Sequence, residues 1–316
     1  MEKNAKRLSI AIVGATGNVG RTFCKVLTEE KIIADYIPFN TKGGAVVEIN
    51  GKAYMTQALT HESAQATKVD YALFSVGADL AREYAPIFAK NGVIVIDNSS
   101  AFRRDPDKAL IIPECNANVI RGAKAGTIIA NPNCTTIGSL VALKPLDDAF
   151  KLKRVIYSSY QAISGAGNSP QFAYPIENNV IPYIDGEEEK MVFETNKILG
   201  RTADNQIGVT ATCVRVPVAN CHTIVINATF EKPLTIEKVK KLLVKAPGLV
   251  LLPDDQLPMP VVANDRNEVF TGRVRLDASC PNTINLITAS DNIRKGAATN
   301  AIQIMQYLMN AGTKHA

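Results

Sequence analysis

Residues 8–20 read LSIAIVGATGNVG. Leu8 to Val13 is an apolar run of strand length, the pattern of a strand buried on both faces. Gly14, Gly17 and Gly20 then punctuate a tight turn, and Arg21 to Glu29 follows with Phe23, Val26 and Leu27 on one side, the spacing of a helix. Glycines at such a strand-to-helix turn let a ligand come close to the backbone. The helix start adds oriented N–H donors and a partial positive charge, so the unit suits a pyrophosphate. A glycine-rich turn alone is a weak signal and its alternative is a plain turn; the strand–loop–helix context makes it much stronger.

Outward from this unit the first part of the chain alternates strand and helix. Tyr71 to Val76 is a second buried apolar run, Leu80 to Lys90 has helical spacing closed by Asn91-Gly92, and Val93 to Ile96 and Thr127 to Ala130 are further strands. That cadence predicts a parallel, doubly wound sheet of Rossmann type. After about residue 150 the texture changes. Val209 to Val216, His222 to Phe230 and Val269 to Leu276 alternate with period two, as strands of a sheet covered on one side do. Helical patterns fall at Glu187 to Leu199 and Thr235 to Ala246, and Arg294 to Asn310 carries an apolar stripe of Ala298, Ile302, Met305 and Leu308. The expected division is a nucleotide-binding domain at 1–131, a catalytic and dimerisation domain at 132–292, and a last helix, 293–316, that packs back on the first.

The 316 residues are 46% hydrophobic and 21% charged, a globular balance that supports a real core. The net charge of +5 comes from scattered Lys and Arg, which argues against nucleic acid and favours anionic small molecules. Six cysteines (Cys24, Cys115, Cys134, Cys213, Cys221, Cys280) form no CxxC pair, and with three histidines they do not compose a zinc site; no metal is expected. The opening MEKNAKRLSIAIVG lacks the apolar core of a secretion signal, and no apolar stretch approaches the ~20 residues that span a bilayer. A cytoplasmic protein with reduced thiols, engaging neither membrane nor nucleic acid, is expected.

Four further features carry chemistry. The second strand should lie near Ala34 to Phe39, and Asn40-Thr41-Lys42 follow it with no acid for ribose hydroxyls and one cation for a 2′-phosphate. This favours NADP over NAD; Asp35 is the alternative acid if the register shifts. Asn131-Pro132-Asn133-Cys134-Thr135-Thr136 follows a strand and precedes a helical pattern at Ile137 to Ala149, which places Cys134 at a helix N-terminus, where a thiolate is stabilised. The commoner fate of a cysteine, a small buried hydrophobe, is the expectation for the other five. Of the three histidines, His315 lies in a terminal tail and His61 in a polar segment, which leaves His222 as the base a cysteine enzyme needs near neutrality. Arg215 shares its strand face with Ala211 and Cys213 and so calls for a partner, such as a carboxylate held by its fork.

The motifs GATGNVG (14–20), IDNSSAFR (96–103), PNCTT (132–136), SYQAISGAG (159–167), EEEK (187–190), CVRVPV (213–218) and DNIRKGAA (291–298) occur in this order. Together they resemble the successive signatures of the aspartate-β-semialdehyde dehydrogenase family over nearly the whole chain. The resemblance implies a glyceraldehyde-3-phosphate-dehydrogenase-like α+β second domain. It also implies NADPH-dependent, reversible reduction of L-aspartyl 4-phosphate to L-aspartate 4-semialdehyde and phosphate, in the biosynthesis of lysine (through diaminopimelate), threonine, methionine and isoleucine. By the same resemblance Cys134 is the nucleophile, Gln161 positions the reacting group and His222 is the acid–base. Arg215 grips the substrate carboxylate, Glu187 meets its amino group, and Arg103, Asn133 and Lys190 form the phosphate site, with the adjacent Arg104 the alternative to Arg103. Gly14, Thr16, Gly17, Asn18, Val19, Thr41, Lys42, Ser164, Gly165 and Asn292 are the implied cofactor contacts, and a homodimer or dimer of dimers the implied assembly. One departure stands beside the base: the family usually shows Gly-His-Ser where this chain has Cys221-His222-Thr223, so Cys221 needs a compatible backbone angle.

Two rivals remain. N-acetyl-glutamyl-phosphate reductases share the architecture but typically carry glycine directly before the cysteine and a tyrosine soon after, where this chain has Asn133 and Thr135-Thr136. Non-catalytic NADP-sensing proteins also open with GATGxxG; they need no cysteine, histidine and arginine in this order.

Overall fold

The computed structural model describes residues 7–167 and 174–312; His315 lies outside them. The elements begin with β1 (Ser9–Val13), α1 (Asn18–Glu29), β2 (Asp35–Asn40), β3 (Val46–Ile49), β4 (Lys52–Met55), β5 (Gln57–Ala58) and α2 (His61–Ala66). There follow β6 (Tyr71–Phe74), α3 (Ala78–Lys90), β7 (Ile94–Asp97), β8 (Ala109–Leu110), α4 (Pro113–Asn116) and β9 (Ile128–Ala130). The second half contains α5 (Cys134–Phe150), β10 (Leu152–Gln161), α6 (Glu187–Ile198), β11 (Gly208–Arg215), β12 (His222–Phe230), α7 (Ile236–Leu243), β13 (Leu249–Leu251), α8 (Pro260–Ala263), β14 (Val269–Leu276), β15 (Thr283–Ser290) and α9 (Thr299–Gly312). They divide into two compact units. The first takes the described residues of Met1–Pro113, Ala117–Asn131 and Ala298–Ala316, the second those of Glu114–Asn116 and Pro132–Ala297. The chain returns to the first unit at Ala298, later than the expected residue 293, and Ile293 to Ala297 stay with the second unit.

In the first unit seven strands lie in the order β5-β2-β1-β6-β7-β9-β8, every neighbouring pair parallel. Ile10 and Ile12 face a cluster with Phe23, Val26 and Leu27 of α1 and Ile302 and Met305 of α9. Ala11 and Val13 face Ala81, Tyr84 and Phe88 of α3. Both faces are therefore covered by helices, and the strands read as unbroken apolar runs for that reason. The chain steps from β1 to β2 on one side and later to β6 on the other, so the carboxyl end of β1 is the switch point of the sheet, where a ligand crevice opens.

The glycine loop sits there, where Gly14 is required by contact as well as by angle and Gly20 by contact. Gly14 has φ +88°, and a Cβ on it would lie 2.5 Å from the Ser75 carbonyl oxygen. A Cβ on Gly20 would lie 2.1 Å from the Gly14 oxygen. Asp35 opens β2, opposite Ser9 and at the far end from this loop, and it is paired with Arg7 at 3.1 Å. It is thus not the ribose acid, and the residues leaving β2 toward the crevice are Asn40, Thr41 and Lys42.

The second unit is built on six strands in the order β11-β10-β12-β15-β14-β13. Its central pairs, β10–β12, β12–β15 and β15–β14, are antiparallel, and the outer pairs are parallel. The alternation read from β12 is real: His222, Ile224, Ile226, Ala228 and Phe230 are buried while the residues between them are half-exposed. Helices α5, α6 and α7 cover the buried face. Helix α5 is buried nearly all round, which its apolar composition requires. Register then does the positioning. Gln161 ends β10 opposite Arg215 at the end of β11, and His222 opens β12 opposite Ser290 at the end of β15. The ends of four strands carry one polar row on the covered face.

Gly20→Ala is expected to cost about 1–3 kcal/mol, the range for overpacking against backbone that cannot yield. Chemical denaturation followed by circular dichroism checks it; a stability unchanged within error would contradict the packing described for the loop.

Candidate active site

Helix α5 begins at Cys134 with Asn133 as its N-cap, the Asn133 Oδ1 accepting from the Thr135 amide at 2.9 Å. This cap satisfies one first-turn donor and leaves Cys134 on the positive end of the helix dipole. Its Sγ lies 3.1 Å from His222 Nε2. His222 is fully buried, and its Nδ1 accepts the Ala162 main-chain amide at 3.0 Å. Burial, reinforced by the nearby Arg215 guanidinium, pushes the imidazole down to about 3. Burial likewise pushes Cys24 and Cys213 up to about 11 and Cys221 up to about 12, and raises Cys115, as befits inert thiols.

Arg215 is 5% exposed and donates from Nη1 to the Ala162 carbonyl at 2.6 Å. Among the described residues no carboxylate pairs with it, although burying a guanidinium calls for one. Beside it opens a cavity of about 890 Å³ lined by Ala166, Tyr174, Ile181, Tyr183 and Ile184. Gly165 lies against both functional groups: a Cβ there would meet Arg215 Nη1 at 2.9 Å and His222 Cε1 at 3.1 Å. Ser164 Oγ accepts from Asn292 Nδ2 at 3.1 Å, and Asn292 Oδ1 accepts the Cys221 amide at 2.9 Å. Cys221 does take the left-handed angle that glycine favours, with φ +74°, and its side chain packs with Leu252, Ala263, Phe270 and Ala289.

A carboxylate network braces the other side. Glu187, 8% exposed, accepts from Lys190 Nζ at 2.7 Å, from Asn133 Nδ2 at 3.0 and 3.1 Å, and from Gln161 Nε2 at 3.3 Å. Burial opposes its charge, but Lys190, Asn133 and Gln161 outweigh burial and hold the carboxyl below its usual range. Glu187 is therefore not on a solvated helix face. Cys134, His222, Gln161, Arg215, Glu187, Asn133, Lys190, Ser164, Gly165 and Asn292 all belong to the second unit. Gly14, Thr16, Gly17, Asn18, Val19, Thr41, Lys42 and Arg103 belong to the first. There Arg103 donates to the Ser99 and Asn98 carbonyls at 3.0 and 2.9 Å. The N-cap of α1 is Gly17, which has no side chain to cap the first-turn amides; a pyrophosphate fits such a helix start.

Some supporting residues escaped the sequence reading. Glu194 is buried and accepts the Asn133 amide at 2.7 Å, so it fixes the N-cap from behind; its seven-residue spacing from Glu187 on one helix was a usable signal. The apolar stripe predicts a regular helix from Arg294 that includes Gly296. Instead residues 294–298 form a π-helical turn, with the Gly296 amide donating to the Asp291 carbonyl at 2.9 Å. Arg294 paired with Asp265 at 2.9 Å and Lys295 paired with Glu114 at 2.7 Å anchor that turn. A Cβ on Gly296 would lie 2.7 Å from Cys134 Cβ, so the wide turn and the missing side chain make room for the cysteine.

A thiol at a helix start, partnered by a buried imidazole and joined in the chain to a dinucleotide-binding sheet, defines a cysteine-dependent dehydrogenase acting on aldehydes. Comparison with known proteins agrees: residues 9–123 match the semialdehyde dehydrogenase NAD binding domain, and residues 143–295 match the semialdehyde dehydrogenase dimerisation domain. The chain is 42% identical to aspartate-semialdehyde dehydrogenase of Aquifex aeolicus, with 96% of this chain and 98% of that protein covered. It is 40% identical to the enzyme of that name from Campylobacter jejuni, with 96% and 97% covered. The crystal structure of aspartate semialdehyde dehydrogenase II complexed with ASA from Vibrio cholerae superposes with a TM-score of 0.91 at 37% identity, covering 97% of this chain and 99% of that one. The chain belongs to the aspartate-semialdehyde dehydrogenase family.

Gly296→Ala is expected to slow alkylation of Cys134 by iodoacetamide about tenfold or more, because the new methyl must displace the cysteine or the turn. Timed alkylation with mass readout at the Cys134 peptide measures this, and an unchanged rate would contradict the packing role of Gly296.

Proposed function

We propose that this chain reduces L-aspartyl 4-phosphate to L-aspartate 4-semialdehyde and phosphate with NADPH, reversibly, through a thioester on Cys134. The observation that carries the reading is the 3.1 Å approach of His222 Nε2 to a cysteine sulfur at the N-terminus of α5. The Cys134 thiolate attacks the acyl carbon, the tetrahedral adduct expels phosphate, and the acyl group remains on sulfur. Bound NADPH supplies the hydride that takes the thioester to the aldehyde level. Collapse then returns the thiolate. Covalent capture splits one hard displacement into two easier ones, and the first-turn amides of α5 suit an oxyanion.

Arg215, buried without a described carboxylate partner, grips the α-carboxylate, and Gln161 orients the acyl group. Glu187 meets the amino group; with Lys190, Asn133 and Gln161 already bonded to it, it keeps its charge for that contact. Asn133 and Lys190, together with Arg103, receive the phosphate. On the first unit the Gly14–Val19 loop holds the pyrophosphate. Thr41 and Lys42, both exposed beyond β2 where no acid stands, favour the 2′-phosphate of NADP. Ser164, Gly165 and Asn292 attend the nicotinamide. The chain acts as a homodimer or dimer of dimers in the cytoplasm; the matched dimerisation domain and the exposed Tyr174, Val180 and Tyr183 support the assembly. Among the described residues no helix is long and apolar enough to cross a membrane.

Spectrophotometry of NADP+ reduction tests the reading. L-aspartate 4-semialdehyde with phosphate is expected to turn over and N-acetylglutamate semialdehyde is not; the reverse order would establish the reductase alternative. Cys134→Ala is expected to abolish turnover with NADPH binding, followed by fluorescence, unchanged, and substantial residual turnover would refute the covalent step. Arg215→Lys should raise KM and lower kcat, together costing about tenfold or more in kcat/KM, since an ammonium cannot reproduce the fork; an unchanged KM would remove Arg215 from the carboxylate site.

A further inference from the structure

We propose that Asn98 is a further binding residue of the first unit, its side-chain Nδ2 donating to the phosphate oxyanion that Arg103 receives. The inference deepens the proposed function and rests on it for the identity of that anion; the orientation of the donor follows from hydrogen-bond chemistry alone.

Asn98 is the first residue beyond β7, at the carboxyl edge of the sheet where the crevice opens. Three of its polar groups are committed. Its main-chain amide donates to the Phe74 carbonyl at 3.0 Å, its carbonyl accepts from Arg103 Nη2 at 2.9 Å, and its Oδ1 accepts from Asn131 Nδ2 at 2.7 Å. Its Nδ2 is the group that is left. Among the described residues this nitrogen bonds to nothing, and it is open to solvent.

A neighbouring carbonyl decides which end of the amide is outermost. An asparagine amide can be turned over, exchanging donor for acceptor, unless a group beside it can only accept or only donate. The Ile111 carbonyl can only accept. It receives Asn300 Nδ2 at 2.9 Å, and the same nitrogen donates to Asn131 Oδ1 at 2.7 Å. Asn131 therefore turns its own nitrogen toward Asn98, which must meet it with Oδ1. Asn131 and Asn300 are fully buried, where a reversed amide would set oxygen against oxygen. One main-chain carbonyl thus orients three side-chain amides in series, and the last of them ends in a donor. All of these residues belong to the first unit.

The loop after β7 gives this donor a cation for a neighbour. Asp97, fully buried, accepts the Ser99 amide at 3.0 Å and the Ser99 hydroxyl at 2.6 Å, and Ser99 Oγ accepts the Ala101 amide at 3.1 Å. The turn so formed sets the Asn98 and Ser99 carbonyls side by side, and Arg103 donates to both, from Nη2 and Nε. One edge of the guanidinium is thereby tied to the residue that carries the open donor. Charged phosphate oxygens accept hydrogen bonds, so an amide N–H next to a guanidinium is complementary to them. A ribose hydroxyl would gain nothing from the Arg103 charge, which makes the anion the better match.

Calorimetric titration of inorganic phosphate into the full chain, with neither semialdehyde nor dinucleotide present, tests the inference on two variants. Asn98→Asp keeps the acceptor that Asn131 needs and replaces the outer donor with an anionic oxygen. Asn98→Ala removes the donor and the bond to Asn131 together. Both are expected to weaken phosphate binding about tenfold or more, the loss of a hydrogen bond to a charged group, with Asp at least as weak as Ala. Thermal unfolding is expected to run the other way, with the Asp variant close to the parent and the Ala variant lower. A residue that only holds Asn131 would leave phosphate affinity intact in the Asp variant, and that result would overturn the proposal. Unchanged phosphate affinity in the Ala variant would overturn it too. So would a loss confined to NADP+ affinity, titrated in the same way, since the donor would then serve the dinucleotide. A parent chain that takes up no phosphate would remove the phosphate site and this inference with it. Turnover of L-aspartate 4-semialdehyde by the parent, with phosphate binding unaltered in both variants, would remove Asn98 alone and leave the proposed function standing.

Discussion

The contact between Cys134 Sγ and His222 Nε2 is the constraint on which the second unit is organised. It holds only if three independent pieces of chain end in register. Helix α5 must begin at residue 134, β12 must begin at residue 222, and β10 must end so that the Ala162 amide meets the far side of the imidazole. Each of these is set by local chemistry. Asn133 caps the helix, the period-two pattern of β12 turns His222 inward, and the parallel register of β10 with β11 brings Gln161 level with Arg215. Because side chains alternate along a strand, a slip of one residue in β12 would send His222 to the half-exposed face and Thr223 inward.

Placing this much charge in a buried site has a cost that the surroundings offset in unequal ways. Glu187 is satisfied by a cation and two amide donors, which hold its carboxyl below the usual range although it is buried, and Glu194 accepts the amide of Asn133. Arg215 is bonded to one carbonyl oxygen, and among the described residues no carboxylate pairs with it. His222 meets burial by staying neutral. The stability consequence follows from that last choice. With the folded value pushed down to about 3 and an unfolded histidine near 6.5, the unfolded chain binds the proton that the fold refuses, so this group lowers stability as pH falls below about 6.5 and has its full effect near 3.

Much of this was legible in the sequence, because it rests on side chains in periodic elements. The β1 run and its glycine loop, the inward face of β12, and a cysteine between Asn133 and a helical pattern each gave a local signal that the structure reproduces. What was missed has physical reasons. The Asn50-Gly51 pair turns the β3–β4 hairpin with both residues at positive φ, a signal that was present but stood in a polar stretch without long apolar flanks. The π-helical turn at 294–298 matches the period of an ordinary helix closely enough to hide in it, and only the tight fit of Gly296 on Cys134 gives the reason for it. The Ala162 contribution is made entirely by its peptide group, and no side-chain pattern announces a backbone donor. Asp35 was kept open as a ribose acid until the register of β2 against β1 placed it at the wrong end of the strand.

The most direct test of a nucleophilic Cys134 is a rapid-mixing experiment with NADP+ and L-aspartate 4-semialdehyde in the absence of phosphate. The account predicts a single burst of NADPH, no more than one per active site, that leaves an acyl group on the Cys134 peptide and is discharged when phosphate is added. An enzyme that forms NADPH only once phosphate is present, with no mass added to Cys134 at any time, would contradict it.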